Sequence, residues 1–279
     1  MNRIDETFRR LKADRKKALI PYIMAGDPSP EETRSTVLLL ERCGADIVEL
    51  GVPFTDPLAD GPIIQRAAER ALRAGVTLRA VIGIVRELRK DTHIPLLLMT
   101  YYNPVFKYGD ERFVRDAVEA GVDGVIIPDL PPDEADSLIQ LSRSAGLATV
   151  FLLAPTSTGE RVKKVVKASR GFLYYVSMTG ITGTRLLFDE SIRESIRMIR
   201  KITDKPVAVG FGIATPDEAR TVSEFADAVI VGSAIVKRLH ESPENLQPYI
   251  IELRNAINNK QESAVDSHMS TKAINGKDR

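Results

Sequence analysis

The sequence predicts a (β/α)8 barrel with an extra helix at its N-terminus. Three observations carry this. Eight short apolar, β-branched runs alternate with helical patterns along the whole length. The runs are nearly continuously apolar, as strands covered on both faces are. The glycine-bearing turns follow the sixth, seventh and eighth runs. Eight βα units close a barrel, whose usual length is about 250 residues. The competing architecture, a doubly wound open sheet, normally carries its Gly-rich phosphate turn after the first strand.

The opening segment, MNRIDETFRRLKADRKK, is charged throughout and places Ile4, Phe8 and Leu11 on one helical face. That pattern predicts an amphipathic helix plugging the barrel bottom, and the lack of an apolar stretch rules out a secretory signal. The strand runs are ALIPYIM (18–24), DIVELG (46–51), PLLLMTY (95–101), DGVIIP (123–128), LATVFLL (147–153), FLYYVS (172–177), PVAVGF (206–211) and DAVIVG (227–232). Amphipathic stretches such as EETRSTVLLLERCG and GDERFVRDAVEAG separate them. CGAD, AGVD and AGLA each read as a helix stop leading directly into a strand. From about Asn259 the chain is polar and aperiodic. The expected organisation is one barrel domain over 1–258 and a disordered tail over 259–279.

Composition narrows the function. The hydrophobic content of 43% supports a full core. With 39 basic and 38 acidic residues the formal charge is +1, which excludes a bulk nucleic-acid surface. No apolar run is long enough to span a bilayer. The single cysteine, Cys43, excludes an internal disulfide framework, points to a reducing cytoplasm and reads as packing at a helix end. His93, His240 and His268 are far apart and none follows a strand, so no metal site or His-centred triad is expected. A Walker phosphate loop is absent. GFGIAT looks like the start of a dinucleotide fingerprint, but the acid about 20 residues on, Asp227, opens a strand and lies at the wrong end.

The candidate chemistry sits in ELGVPFTDPLADGP, Glu49 to Pro62. Glu49 closes an apolar run and shares parity with Ile47, so both point the same way. At a barrel mouth its pKa is pushed upward, which suits a group that both gives and takes protons; a structural Glu bonded to a backbone turn or an Arg is the alternative. Asp60 follows within one loop and is either a second carboxylate in the cleft or, with Gly61, the cap of a helix starting at Pro62. SMTGITGT, VGFGIAT and VGSAIV follow the last three strands, where backbone N–H groups and a helix start can hold a phosphate, with Ser233 adding a hydroxyl. Asp129 in IPDLPP faces the cleft or structures its own loop.

ELGVPFTDPLADGP closely resembles the signature of the tryptophan synthase alpha subunit. The resemblance runs on through PYIMAGDP (21–28), MTYYNPVF (99–106), PDLPP (128–132), VSMTGITGTR (176–185), VGFGI (209–213) and VGSAIVK (231–237), covering roughly residues 1 to 257 in order. It implies a retro-aldol lyase that cleaves indole-3-glycerol phosphate to indole and glyceraldehyde 3-phosphate. Glu49 matches the family's general acid/base and Asp60 the carboxylate that stabilises charge on the indole nitrogen. Gly183, Gly212, Gly232 and Ser233 match phosphate-loop positions, with Phe211 and Gly210 beside them. Tyr174 matches a tyrosine near the carboxylates, and Thr182 the mobile-loop threonine that bonds to the Asp60 position. Tyr22, Ile64, Met99 and Asp129 fall where the family lines its indole pocket or cleft. Met178 departs from a basic residue of some members. The loop 178–189 is expected to be poorly ordered without ligand. The resemblance implies no cofactor in this chain. It also implies an α2β2 complex whose β subunit holds pyridoxal phosphate and docks on the strand-end rim, with Asp56, Asn103, Pro104, Pro131 and Pro132 in the matching loops. Another phosphate-binding barrel, a non-catalytic activating subunit and a flavin-binding barrel are the rival readings.

Overall fold

In a computed structural model of the chain, residues 2–176, 190–210 and 212–258 are described. The strands are β1 (Ala18–Met24), β2 (Val48–Gly51), β3 (Leu96–Met99), β4 (Gly124–Ile126), β5 (Ala148–Val150), β6 (Leu152–Leu153), β7 (Leu173–Val176), β8 (Val207–Gly210) and β9 (Ala228–Val231). All pairings are parallel, in the order β5-β4-β3-β2-β1-β9-β8-β7-β6, and helices follow along the outside. The sheet wraps into the expected barrel.

Nine strands stand where eight were expected because the fifth run is broken. β5 pairs with β4, whereas β6 pairs with β7, so the chain passes from one neighbour to the other at Phe151. There the Phe151 N–H donates to Ser169 Oγ (3.3 Å) and its carbonyl accepts from Tyr174 N–H (3.3 Å). One residue thus carries the hand-over that closes the ring. The third run also ends early. It stops at Met99, and Tyr101 begins the helix Tyr102–Tyr108 instead.

The barrel interior is one apolar cluster, including Ala18, Ile20, Ile47, Leu97, Ile126, Val150, Phe172, Tyr174, Ala208 and Ile230. Ile47 belongs to it, and the parity argument for Glu49 follows: Tyr22, Glu49 and Leu97 are register partners across β1, β2 and β3. Below them, Ile4, Phe8 and Leu11 of the helix Arg3–Ala13 enter the same cluster, with Phe8 against Phe172 at 5.7 Å between ring centres. The expected bottom plug is therefore present. The buried Asp123 carboxylate binds this end together, accepting from Arg89 (2.6 Å), the more exposed Arg3 (2.8 Å) and the Leu96 N–H (2.8 Å).

The predicted helix stops hold. Gly121 (φ 91°) and Gly146 (φ 82°) end their helices in the left-handed region. Cys43 is buried in the outer core, where burial pushes its thiol pKa up, in keeping with a packing role. Asp227 sits at the amino end of β9, where it pairs with Arg200 and accepts from the Val207 N–H. It has no place in a nucleotide site. The last described helix is Leu246–Asn258; the tail 259–279 and the loop 178–189 lie outside the described residues.

Candidate active site

The carboxyl ends of β1, β2, β3 and β7 bring together Tyr22, Glu49, Asp60, Tyr101 and Tyr174, close enough for their charges to interact. Glu49 is set by strand geometry. β2 is short and fully buried, and its second residue points into the barrel just above Ile47. Glu49 is 1% exposed, and neither carboxylate oxygen has a hydrogen-bond partner in the described protein. A buried ionised carboxylate without partners is costly. Burial, and then the charge of Asp60, therefore push the Glu49 pKa up to about 8. The structural alternative, a Glu tied to a turn or an Arg, is not what the fold contains.

Asp60 lies in the loop between β2 and the helix Pro62–Arg73. The cap of that helix is Gly61, with no side-chain cap bond, so Asp60 is free of the capping role weighed for it. Burial pushes its pKa up to about 6, and the Tyr101 hydroxyl, bonding to its side chain, opposes the rise. Gln65 Nε2 donates to the Asp60 carbonyl (2.8 Å), holding the loop against the helix. The two acids thus sit in one pocket with different environments. One is fully buried and unbonded; the other is half-buried and hydrogen-bonded. Such a pair separates into a proton-holding group and a charged group near neutral pH.

Two glycines make room for the phenols. A Cβ on Gly51 would lie 2.0 Å from Tyr22 Oη, and one on Gly210 2.6 Å from Tyr174 Oη. Both tyrosines lean across a strand end where only glycine fits. Their hydroxyl pKa values are raised well above normal by burial and by the two acids, so they remain neutral.

Ile64 (6% exposed) belongs to the same core cluster as Tyr22, and Met99 is half-buried at the end of β3. Asp129 is exposed, and its carboxylate accepts from the Tyr102 N–H (2.9 and 3.2 Å), where it fixes the start of the helix Tyr102–Tyr108. Gly232 and Ser233 open the helix Ser233–Glu241 after β9, with no side-chain cap. A Cβ on Gly232 would meet the Tyr22 side chain at 3.5 Å, so this helix start borders the same mouth. Gly212 (φ 80°) follows β8 on that rim. Thr182, Gly183 and Phe211 lie outside the described residues. Among the described residues no group of three or more metal-ligating side chains forms, and His93 and His240 are exposed.

Sequence reasoning missed Tyr101. Its hydroxyl accepts from the Ala59 N–H (2.9 Å) and reaches Asp60. A tyrosine shortly after a strand end was the available signal, but its partner Ala59 lies 42 positions away.

The chain is matched over residues 8–266 by a family model described as tryptophan synthase alpha chain. That match extends eight residues past Asn258. Among curated proteins, the tryptophan synthase alpha chain of Geotalea daltonii is 51% identical over 241 residues, covering 86% of this chain and 91% of its own. That of Geobacter sulfurreducens is 48% identical over 264 residues, covering 93% of this chain and all of its own. Among solved structures, the alpha subunit of Legionella pneumophila superposes with a TM-score of 0.85 at 42% identity, covering 92% of this chain and 98% of that one. A chain of the Mycobacterium tuberculosis tryptophan synthase gives 0.87 at 38%, with 93% and 99% covered.

Proposed function

We propose a residue-level mechanism from one premise: the chain belongs to the tryptophan synthase alpha chain family, and so is a carbon–carbon lyase of tryptophan biosynthesis that cleaves indole-3-glycerol phosphate to indole and glyceraldehyde 3-phosphate. Glu49 is the proton carrier and Asp60 the charge stabiliser. The observation that carries this is the setting of Glu49: buried, with neither carboxylate oxygen hydrogen-bonded, which pushes its pKa up to about 8.

The protonated Glu49 gives its proton to indole C3. The ring becomes an indolenine cation, and the ionised Asp60 accepts a hydrogen bond from its N–H and stabilises the charge. Glu49, now a carboxylate, takes the proton of the hydroxyl on the adjoining side-chain carbon. As that O–H bond breaks, the C=O bond forms, the C–C bond breaks, and its electron pair returns to the ring. Indole and the aldehyde leave, and Glu49 is protonated again. The cycle balances within the side chains of this chain. General acid/base transfer of this kind contributes about 10²–10⁴ in rate.

Gly183, Gly212, Gly232 and Ser233 are the phosphate end of the site, with Phe211 beside them, and Thr182 is the loop threonine that bonds to Asp60. The uncapped start of the helix Ser233–Glu241 supports the reading, because backbone N–H groups and the helix dipole favour an anion there. Tyr22, Ile64, Met99 and Asp129 belong to the indole pocket or the cleft leading to it, and Tyr174 packs near the two carboxylates. The barrel domain spans 1–258, and 259–279 is a tail without a catalytic part.

The partner is a β subunit in an α2β2 complex that carries the pyridoxal phosphate. It docks on the rim of strand ends, on the loops of Asp56, Asn103, Pro104, Pro131 and Pro132. Supporting this, Leu58 (93% exposed) and Phe106 (67% exposed) are large apolar side chains left in water beside Asp56 and Pro104. The place of action is the cytoplasm; no described helix is long and apolar enough to cross a membrane.

Indole release from indole-3-glycerol phosphate is the test, run with and without a β subunit and with Glu49→Gln as control. Slow release alone, faster release with the partner and loss in the variant are expected. Full activity in the variant would return Glu49 to a structural role.

A further inference from the structure

We infer that Tyr101 is the positioning residue of Asp60: its hydroxyl ties down the β2 loop through the backbone of Ala59, the residue next to Asp60, and reaches the Asp60 side chain. The inference rests on the reading of Asp60 as the charge stabiliser.

The loop has little else to hold it. Residues 53–60 are linked among themselves by the Leu58 N–H to the Asp56 carbonyl (2.9 Å), the Asp60 N–H to the Pro57 carbonyl (3.1 Å) and the Thr55 hydroxyl to the Asp56 carboxylate (2.6 Å). Gln65 adds the bond to the Asp60 carbonyl already described. Among the described residues, the Tyr101 hydroxyl is the only hydrogen-bond partner of 53–60 lying outside the stretch 53–65. Leu58 stands almost wholly in water, so apolar packing does not fix the loop tip.

Tyr101, by contrast, is firmly set. It is 6% exposed, and its ring lies 5.3 Å from that of Phe54. The next residue is pinned by its N–H to the Asp129 carboxylate. A phenol fixed in this way presents one acceptor and one donor. The acceptor takes the Ala59 N–H; the donor serves Asp60. Burial and the neighbouring acids raise the hydroxyl pKa, so the donor proton is retained at every working pH. The bond favours the ionised form of Asp60, opposing the burial that disfavours it. Tyr101 therefore sets both where the Asp60 loop lies and how far its carboxyl is charged.

The test is Tyr101→Phe, which keeps the ring and removes only the hydroxyl; Ala59 is an exposed residue, so water can replace the lost bond to its N–H. Two readouts are made on samples whose thermal melts establish folding: the pH profile of kcat and KM for indole release, and the titration of the Asp60 carboxyl carbon by NMR. The acid limb of kcat is expected to move toward neutrality by about one pH unit, the scale of one lost hydrogen bond to an ionised group. At about pH 6, kcat then falls roughly fivefold while KM changes little. The substrate phosphate ionises identically in both assays and cancels. The Asp60 titration moves in the same direction. A wild-type acid limb and an unmoved Asp60 titration overturn the inference, as does a loss uniform across pH. Asp60→Asn separates this from the underlying reading: full activity there sinks the role of Asp60, whereas an inactive Asp60→Asn beside an unshifted Tyr101→Phe sinks only the role of Tyr101.

Discussion

Replacing Glu49 by Gln should stabilise the fold, and increasingly so as the pH rises. Glu49 binds its proton more tightly folded, with a pKa of about 8, than in the unfolded chain, where the ordinary value is 4.5. Below 4.5 the group is protonated in both states and contributes fully. Above it the unfolded chain ionises first, so stability drains away until the folded group also ionises near 8. Each pH unit in that window corresponds to about 1.4 kcal/mol. Between pH 4.5 and 7 the wild type therefore loses about 3 kcal/mol that the Gln variant retains. For a domain of this size that separates their melting temperatures by roughly 6 °C or more at neutral pH. Because Glu49 has no hydrogen-bond partner to lose, the amide leaves no new broken contact among the described residues. Thermal melts of both proteins from pH 4 to 9 measure the difference directly, since every other titration is shared. A difference independent of pH, or a variant that loses ground at neutral pH, would refute the argument that Glu49 is buried uncharged.

Three further outcomes follow from the same geometry. The proposed mechanism starts from ionised Asp60 and protonated Glu49, so kcat/KM should rise through about 6 and fall through about 8; a plateau persisting to about pH 9 would mean the reaction starts from the Glu49 carboxylate. Gly51→Ala puts a methyl 2.0 Å from Tyr22 Oη and must displace that ring. A stability loss of about 1–3 kcal/mol and at least a tenfold loss of kcat/KM should result, read by denaturant titration and steady-state kinetics. Asp123→Asn strands the buried Arg89 at the opposite end of the barrel, and should cost about 3 kcal/mol or more in unfolding free energy. Its kcat per folded molecule should stay at the wild-type value, and a fall would mean that the two ends of the barrel are coupled.

The fold was legible because parallel strands covered on both faces must be apolar throughout, and the eight runs show this directly. Glu49 stood out for the same reason: in such a run a carboxylate is an exception, and parity with Ile47 gave its direction. What escaped depends on neighbours remote in sequence. The break at Phe151 arises because one strand has β4 on one side and β7 on the other, which no local pattern records. Whether Asp60 capped its helix turned on one residue, and the fold gives the cap to Gly61. Tyr101 looked like the end of a strand, and only the folded loop brings Ala59 and Asp60 to its hydroxyl. The ion pairs of Asp123 with Arg3 and Arg89 escaped likewise, since each partner alone reads as a surface charge.

The central claim, that two carboxylates divide proton carriage and charge stabilisation between them, is tested most directly by single-turnover indole formation. Wild type, Glu49→Gln and Asp60→Asn would be compared, with substrate affinity measured on the same samples. The account predicts near-normal affinity, because the phosphate end is untouched, and a rate lower by about 10² or more in each variant. A variant that forms indole at the wild-type rate, or that loses affinity while its bound substrate reacts normally, would contradict it.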